Sequence, residues 1–215
     1  MPVSILFAAA ALAALLFWIR HAGHDAPSIA ASGLKTASVA LLALAGLVAG
    51  APGWIVLGLG LGALGDLALS LRGERAFLAG MLGFALGHLA YAAGFVGLMG
   101  PGAPALSPGF WIVGALMLAL VALTMVWIAP RAGGLGWPVR AYALVIALMA
   151  LCAALLPPGW GSMIVKCGTA GFVASDLILA IRLFVLRDPG AQLLASRVLW
   201  PLYWGGQALI LLGVT

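Results

Sequence analysis

Gly65-Asp66-Leu67-Ala68-Leu69-Ser70-Leu71-Arg72 and Ser175-Asp176-Leu177-Ile178-Leu179-Ala180-Ile181-Arg182 read as one motif written twice. Each sets a single aspartate inside a long apolar run, with an arginine six residues later. Asp66 and Asp176 are two of only five acidic residues in a chain of 215. A carboxylate at bilayer depth costs about 2.5–3.5 kcal/mol on insertion scales, so it marks a functional site by default. Two of them at matched depth point to a pair that works together.

The surrounding composition supplies the bilayer. The chain is 65% hydrophobic and 7% charged, with a mean hydropathy of +1.23. That excludes a soluble globular domain, and the longest hydrophilic gap, Arg20 to Ser32, is too short to fold one. Apolar runs of about 17–25 residues recur throughout, the signature of membrane-spanning helices. The expected fold is all-α and polytopic, with eight transmembrane helices at 3–20, 33–51, 53–71, 75–99, 109–129, 138–157, 161–185 and 192–213. Breakers such as Ala51-Pro52-Gly53 and Pro157-Pro158-Gly159 mark the connections. Residues 1–215 then form a single integral membrane domain, with weakly similar halves at about 1–100 and 105–215. No basic residue precedes the first apolar run, so it reads as a spanning helix rather than a cleavable leader. Cys152 and Cys167 have no metal or redox spacing and receive no role.

Nine of the ten lysines and arginines flank the first, third, fifth and seventh connections. By the positive-inside rule those connections are cytoplasmic and both termini lie outside. The isoelectric point near 9.9 reflects this bias and does not imply nucleic-acid binding. Trp18, Trp54, Trp111, Trp127, Trp137, Trp160 and Trp200 fall near span ends, as an aromatic belt would. Spans three and seven run the same way, which puts Asp66 and Asp176 about 9 Å inside the cytoplasmic arginines at 1.5 Å per residue. Four helices per half suggest a parallel repeat.

Few other polar residues interrupt the apolar runs. His88 and Tyr91 share one face of the fourth span at i, i+3, and Tyr203 and Gln207 share one face of the last at i, i+4. Either pair can serve as interhelical glue or as part of a site. Lys35 opens the second span from the cytoplasmic side, where it can snorkel, meet a lipid phosphate or meet an aspartate. Lys166 lies ten residues before Asp176, about 15 Å of rise away, and is expected to snorkel outward. Gly65 and Ser175, directly before the aspartates, can open room for a ligand. His21, His24 and Asp25 share a loop that reads as solvated rather than metal-binding. No nucleophilic serine motif, H-E-x-x-H or phosphate loop occurs.

Taken together, Gly65-Asp66, Phe77-x-x-Gly80-x-x-x-Phe84-x-x-x-His88-x-x-Tyr91, Phe172-x-x-Ser175-Asp176 and Tyr203-x-x-x-Gln207 resemble the YhhN-like lysoplasmalogenase family. The resemblance runs from about Lys35 to Gln207, and departs from the family where Thr36 replaces the proline that commonly follows the early lysine. It implies a hydrolase of the bacterial cell membrane that cleaves the vinyl-ether bond of a lysophospholipid to a fatty aldehyde and a glycerophospho-alcohol. It implies no cofactor or metal, and membrane lipids but no nucleic acid as partners. Such a bond is cleaved by protonating its terminal alkene carbon, adding water to the oxocarbenium ion and collapsing the hemiacetal. Asp66 and Asp176 would divide the acid and base roles with His88, in either order. Lys35, Tyr91, Ser175, Tyr203 and Gln207 would bind and orient substrate and water.

The rival reading is a transporter of a lipid or small solute that uses the aspartates as proton or substrate sites. A purely structural membrane protein is disfavoured by the cost of two matched buried carboxylates. The orientation is directly testable. Alkaline phosphatase fused after Thr215 is expected to be active, and an active cytoplasmic reporter at that position would overturn the topology.

Overall fold

The computed structural model describes residues 2–23, 28–101 and 106–215. These form eight α-helices: α1 (Pro2–Arg20), α2 (Ile29–Ala49), α3 (Gly53–Leu69), α4 (Glu74–Leu98), α5 (Pro108–Leu123), α6 (Gly136–Ala154), α7 (Trp160–Phe184) and α8 (Pro189–Val214). No strand occurs among the described residues. In lipid a helix is the open-chain structure that satisfies its own backbone, and these apolar runs adopt it. Six helices are long and apolar enough to cross a membrane: α1, α2, α4, α6, α7, and α5 with its continuation to Arg131. The apolar α3 has 17 residues, about 26 Å of rise, slightly under the hydrocarbon thickness. His24 and Asp25 of the first connection lie outside the described residues.

Helix boundaries follow local chemistry. α2 starts four residues before its expected position because Ser28 caps it, its Oγ accepting from the Ala31 N–H at 3.4 Å. Gly50, at φ +74°, ends it in the left-handed region that favours glycine. α8 starts at Pro189 because Asp188 accepts from the Ala191 N–H at 2.7 Å. The fifth span does not continue as α-helix to 129. It passes at Thr124–Ile128 into a π-helical turn, then at Ala129–Arg131 into a 3-10 turn. Pro130 has no N–H and its ring opposes the carbonyl four residues back, so the hydrogen-bond register shifts by one: the Ala129 N–H reaches the Thr124 carbonyl.

Pro201 interrupts α8 internally. It leaves the Arg197 carbonyl without its usual donor, and the Trp18 indole of α1 donates to that oxygen at 2.9 Å. Two further indoles of α8 tie neighbouring helices, Trp200 to the Ala14 carbonyl of α1 at 3.0 Å and Trp204 to the Ser38 carbonyl of α2 at 3.3 Å. Trp200 is buried rather than part of an exposed belt. Trp54, Trp111, Trp137 and Trp160 are exposed. Trp127 and Trp137 each lie against an arginine, Arg131 and Arg140, with the cation 5.6 and 5.2 Å from the ring centroid.

Two helix pairs approach along glycine seams. In α3 and α4, Gly65 lies against the Phe84 ring and the Gly80 carbonyl, and Gly83 lies against the Gly65 backbone. In α7 and α8, Gly168 faces Gly206, and Gly161 faces Gly213. α6 packs on α4 and α7, whereas α5 packs closely on α6 alone.

The seams predict a paired result. A methyl group on Gly206 would sit 2.8 Å from the Gly168 carbonyl oxygen, while Gly205 has nothing within 4 Å. Gly206→Ala should lower stability by about 1–3 kcal/mol through overpacking. Gly205→Ala should leave the thermal midpoint of the purified protein unchanged.

Candidate functional site

Asp66 emerges from α3 into the space between α2 and α8. Its Oδ1 lies 3.0 Å from Lys35 Nζ of α2, and its Oδ2 accepts from the Tyr203 hydroxyl of α8 at 2.6 Å. The carboxylate is fully buried, and the Lys35 side chain keeps 23% of its exposure. The lysine and the phenol both present donors, so this end of the site is a buried carboxyl group held from two helices.

Asp176 emerges from α7 toward α4. Its Oδ2 lies 3.0 Å from His88 Nε2, and the Tyr142 hydroxyl of α6 is directed at the same carboxyl group. His88 Nδ1 is 2.6 Å from the Phe84 carbonyl oxygen. A carbonyl only accepts, so Nδ1 carries a proton. Nε2 is then the nitrogen that faces the Asp176 carboxyl group, 3.0 Å away. A bare carboxylate against a bare nitrogen would set lone pair against lone pair.

The two pairs are exchanged across the chain. The α3 aspartate is bonded from α8, and the α7 aspartate is paired from α4. Between them the Tyr91 hydroxyl of α4 donates to Gln207 Oε1 of α8 at 3.0 Å. Gln207 Nε2 is buried without a partner. Phe84 and Phe172 separate the two centres, with Phe84 edge-on to Tyr203 at 5.7 Å and Phe172 at 4.5 Å from His88.

Two cavities meet here. A narrow apolar cleft of about 70 Å³ lies among α4, α5, α6 and α7, and Asp176 and Tyr142 reach its wall. A more polar vestibule of about 1200 Å³ opens at the basic end of the bundle, with Lys35, Arg72, Arg182 and His21 on its lining. Leu69, Phe77, Leu179 and Leu183 line both, so the cavities adjoin. The arrangement places two buried carboxyl groups, each with different partners, between a cationic vestibule and an apolar cleft.

The structure thus brings together Asp66, Asp176, His88, Lys35, Tyr91, Tyr203 and Gln207. Ser175 is turned away, its hydroxyl donating to the Phe172 carbonyl of its own helix at 2.7 Å. The room expected beside Gly65 is filled by Phe84. Lys166 does not snorkel free; its Nζ donates to the Leu156 carbonyl at the end of α6 at 2.9 Å. Tyr142 was missed from the sequence because Trp137 and Arg140 mark its surroundings as a membrane boundary. The available signal was rarity: the chain has three tyrosines, and all three are at this site. No group of three or more potential metal ligands occurs among the described residues.

Fold and site define an integral membrane protein of long apolar helices built around buried, paired carboxylates. Residues 30–214 match the YhhN family, and the chain belongs to it. No curated protein and no solved structure matches the chain.

The Lys35–Asp66 pair has a measurable consequence. Lys35→Met leaves a buried carboxylate without its cation and should lower stability by about 1–3 kcal/mol. Adding Asp66→Asn should restore most of the thermal midpoint. A single variant as stable as the parent would show that the pair holds nothing together.

Proposed function

We propose that this protein is a membrane-embedded hydrolase of the lysoplasmalogenase type. It cleaves the vinyl-ether bond of an alkenyl lysophospholipid by aspartate acid–base catalysis. The observation that carries the reading is the unequal pairing of the two carboxyl groups at the junction of a cationic vestibule and an apolar cleft. Vinyl-ether hydrolysis needs one group that gives a proton and one that stays negative, and buried carboxyl groups in different surroundings divide in that way.

Asp176 is the acid in this scheme. It shares a proton with His88 and reaches the apolar cleft where an alkenyl chain would lie. The proton passes to the terminal alkene carbon, and the ether oxygen stabilises the oxocarbenium ion that results. Asp66, beside Lys35 and Tyr203, remains ionised, steadies that cation and takes a proton from the attacking water. The hemiacetal then collapses: Asp66 passes its proton to the leaving glycerol oxygen, the hydroxyl proton goes to Asp176, and aldehyde and alcohol are released with both carboxyl groups restored. Tyr142 orients the Asp176 carboxyl group, and the Tyr91–Gln207 bridge holds α4 against α8. With Lys35 engaged by Asp66, the substrate phosphate falls to Arg72 in the vestibule.

The membrane setting follows the same reading. All eight helices cross, both termini face away from the cytoplasm, and the vestibule opens on the cytoplasmic side of a bacterial cell membrane. The exchanged pairing of α3 with α8 and of α7 with α4 supports a parallel repeat of four helices.

The deciding experiment is aldehyde release from a defined lysoplasmalogen by purified protein. Asp66→Asn and Asp176→Asn should each lower kcat about 100-fold or more while leaving folded protein. Lys35→Met should act mainly on kcat, through Asp66, whereas Arg72→Met should act mainly on KM as a binding contact. Movement of intact lysolipid across vesicles without aldehyde release would replace the hydrolase with a carrier.

A further inference from the structure

A third cavity has no part in the chemistry above. Because α5 packs closely on α6 but not on α7, a groove stays open between α5 and α7, with about 1540 Å³ of empty space. Val113 and Met117 of α5, Ala150 and Ala153 of α6, and Ala170 and Val173 of α7 line it. The α6 and α7 walls are largely methyl-sized, so the opening follows from the sequence of those helices. Leu120 and Leu177 belong both to this groove and to the cleft that contains Asp176. The vestibule, the cleft at Asp176 and this groove thus adjoin in series, with shared side chains at each junction.

We infer that the α5–α7 groove is the binding site for the aliphatic chain of a single-chain phospholipid, and that its far end limits chain length. The inference rests on the proposed lysolipid reading and names how that substrate lies. Cations stand at one end, titratable groups in the middle and hydrocarbon at the other, the polarity order of a lysophospholipid. One groove leaves the Asp176 cleft by the route described, which suits one chain and leaves a second chain of a diacyl lipid outside. The far end is polar: Lys166 closes onto the Leu156 carbonyl, and Thr169 is buried with an unpartnered hydroxyl. Asp176 to Lys166 is about 15 Å of helix. An extended chain advances about 1.25 Å per carbon, so that length holds about 12 methylenes.

The test uses full-length protein in nanodiscs and a non-cleavable alkyl-ether lysophosphoethanolamine with a photoreactive diazirine at the methyl end of a 12-carbon chain. Irradiation followed by peptide mapping should place the label on α5 around Val113–Met117 and on α7 around Lys166–Ala170. Ala170 is exposed on the groove wall, about 9 Å before Asp176. Ala170→Phe should reduce that labelling at least tenfold, and Ala119→Phe should do the same from α5. Leu118→Phe, at a side chain 72% exposed on α5, should leave it unchanged. Both blocking variants must elute as folded protein, and either one alone suffices to decide. Label scattered over Leu118 and Val126, label insensitive to both blocks, or equal displacement by diacyl phosphatidylethanolamine would reduce the groove to a seat for bulk lipid and overturn the inference. Groove labelling by a protein that releases no aldehyde would uphold the chain site and remove the hydrolase. Aldehyde release without groove labelling would do the reverse.

Discussion

Two carboxyl groups can remain inside this apolar bundle because each meets a donor carried by a helix distant in sequence. Asp66 depends on Lys35 and Tyr203, and Asp176 depends on His88. Buried charge without such partners costs several kcal/mol, so helix order and rotation are constrained by the need to deliver these donors. α3 must face both α2 and α8, and α7 must face α4. Few other polar groups exist to relax that demand, since 7% of the chain is charged.

Donors at 2.6–3.0 Å require helices whose backbones come close. Lipid offers no hydrophobic drive between apolar helices, so close approach rests on small residues. The α3–α4 and α7–α8 seams provide it, and each seam holds one aspartate helix against one helix with the polar pair. The Trp18 indole at the carbonyl freed by Pro201, and Trp200 at the Ala14 carbonyl, anchor α8 to α1 by the same logic of satisfying every buried polar atom. α5 stands outside this network, with Leu120 its buried residue, and an apolar groove opens beside it.

The same pairing makes the two acids unequal. Asp66 faces a lysine and a phenol, whereas Asp176 faces a histidine whose other nitrogen is held by a backbone carbonyl. Both arrangements exist without a bound ligand, as the proposed acid–base chemistry in a low-dielectric site requires. The pairing at Asp66 also relocates the proposed phosphate contact, because a lysine engaged with a carboxylate is a weaker candidate for a headgroup than Arg72 at the vestibule.

Sequence alone determined the elements and the height of each site residue along its helix. Apolar run lengths and proline–glycine breakers placed all eight helices to within a few residues. The Gly65-Asp66 and Ser175-Asp176 motif, with His88, Tyr91, Tyr203 and Gln207, named most of the groups that meet. What tertiary structure decided was which of them touch. Lys35 has a stem long enough to snorkel or to reach a carboxylate, and only the position of α3 beside α2 chooses between them. Tyr142 belongs to the site only because α6 packs between α4 and α7. Ser175 leaves it because its hydroxyl finds a carbonyl on its own helix, and Trp200 leaves the membrane boundary because α1 covers it. A helical sequence specifies height along the axis, at about 1.5 Å per residue. Which neighbour lies beside each face depends on contacts between helices far apart in the chain, and those exist only once the bundle has packed.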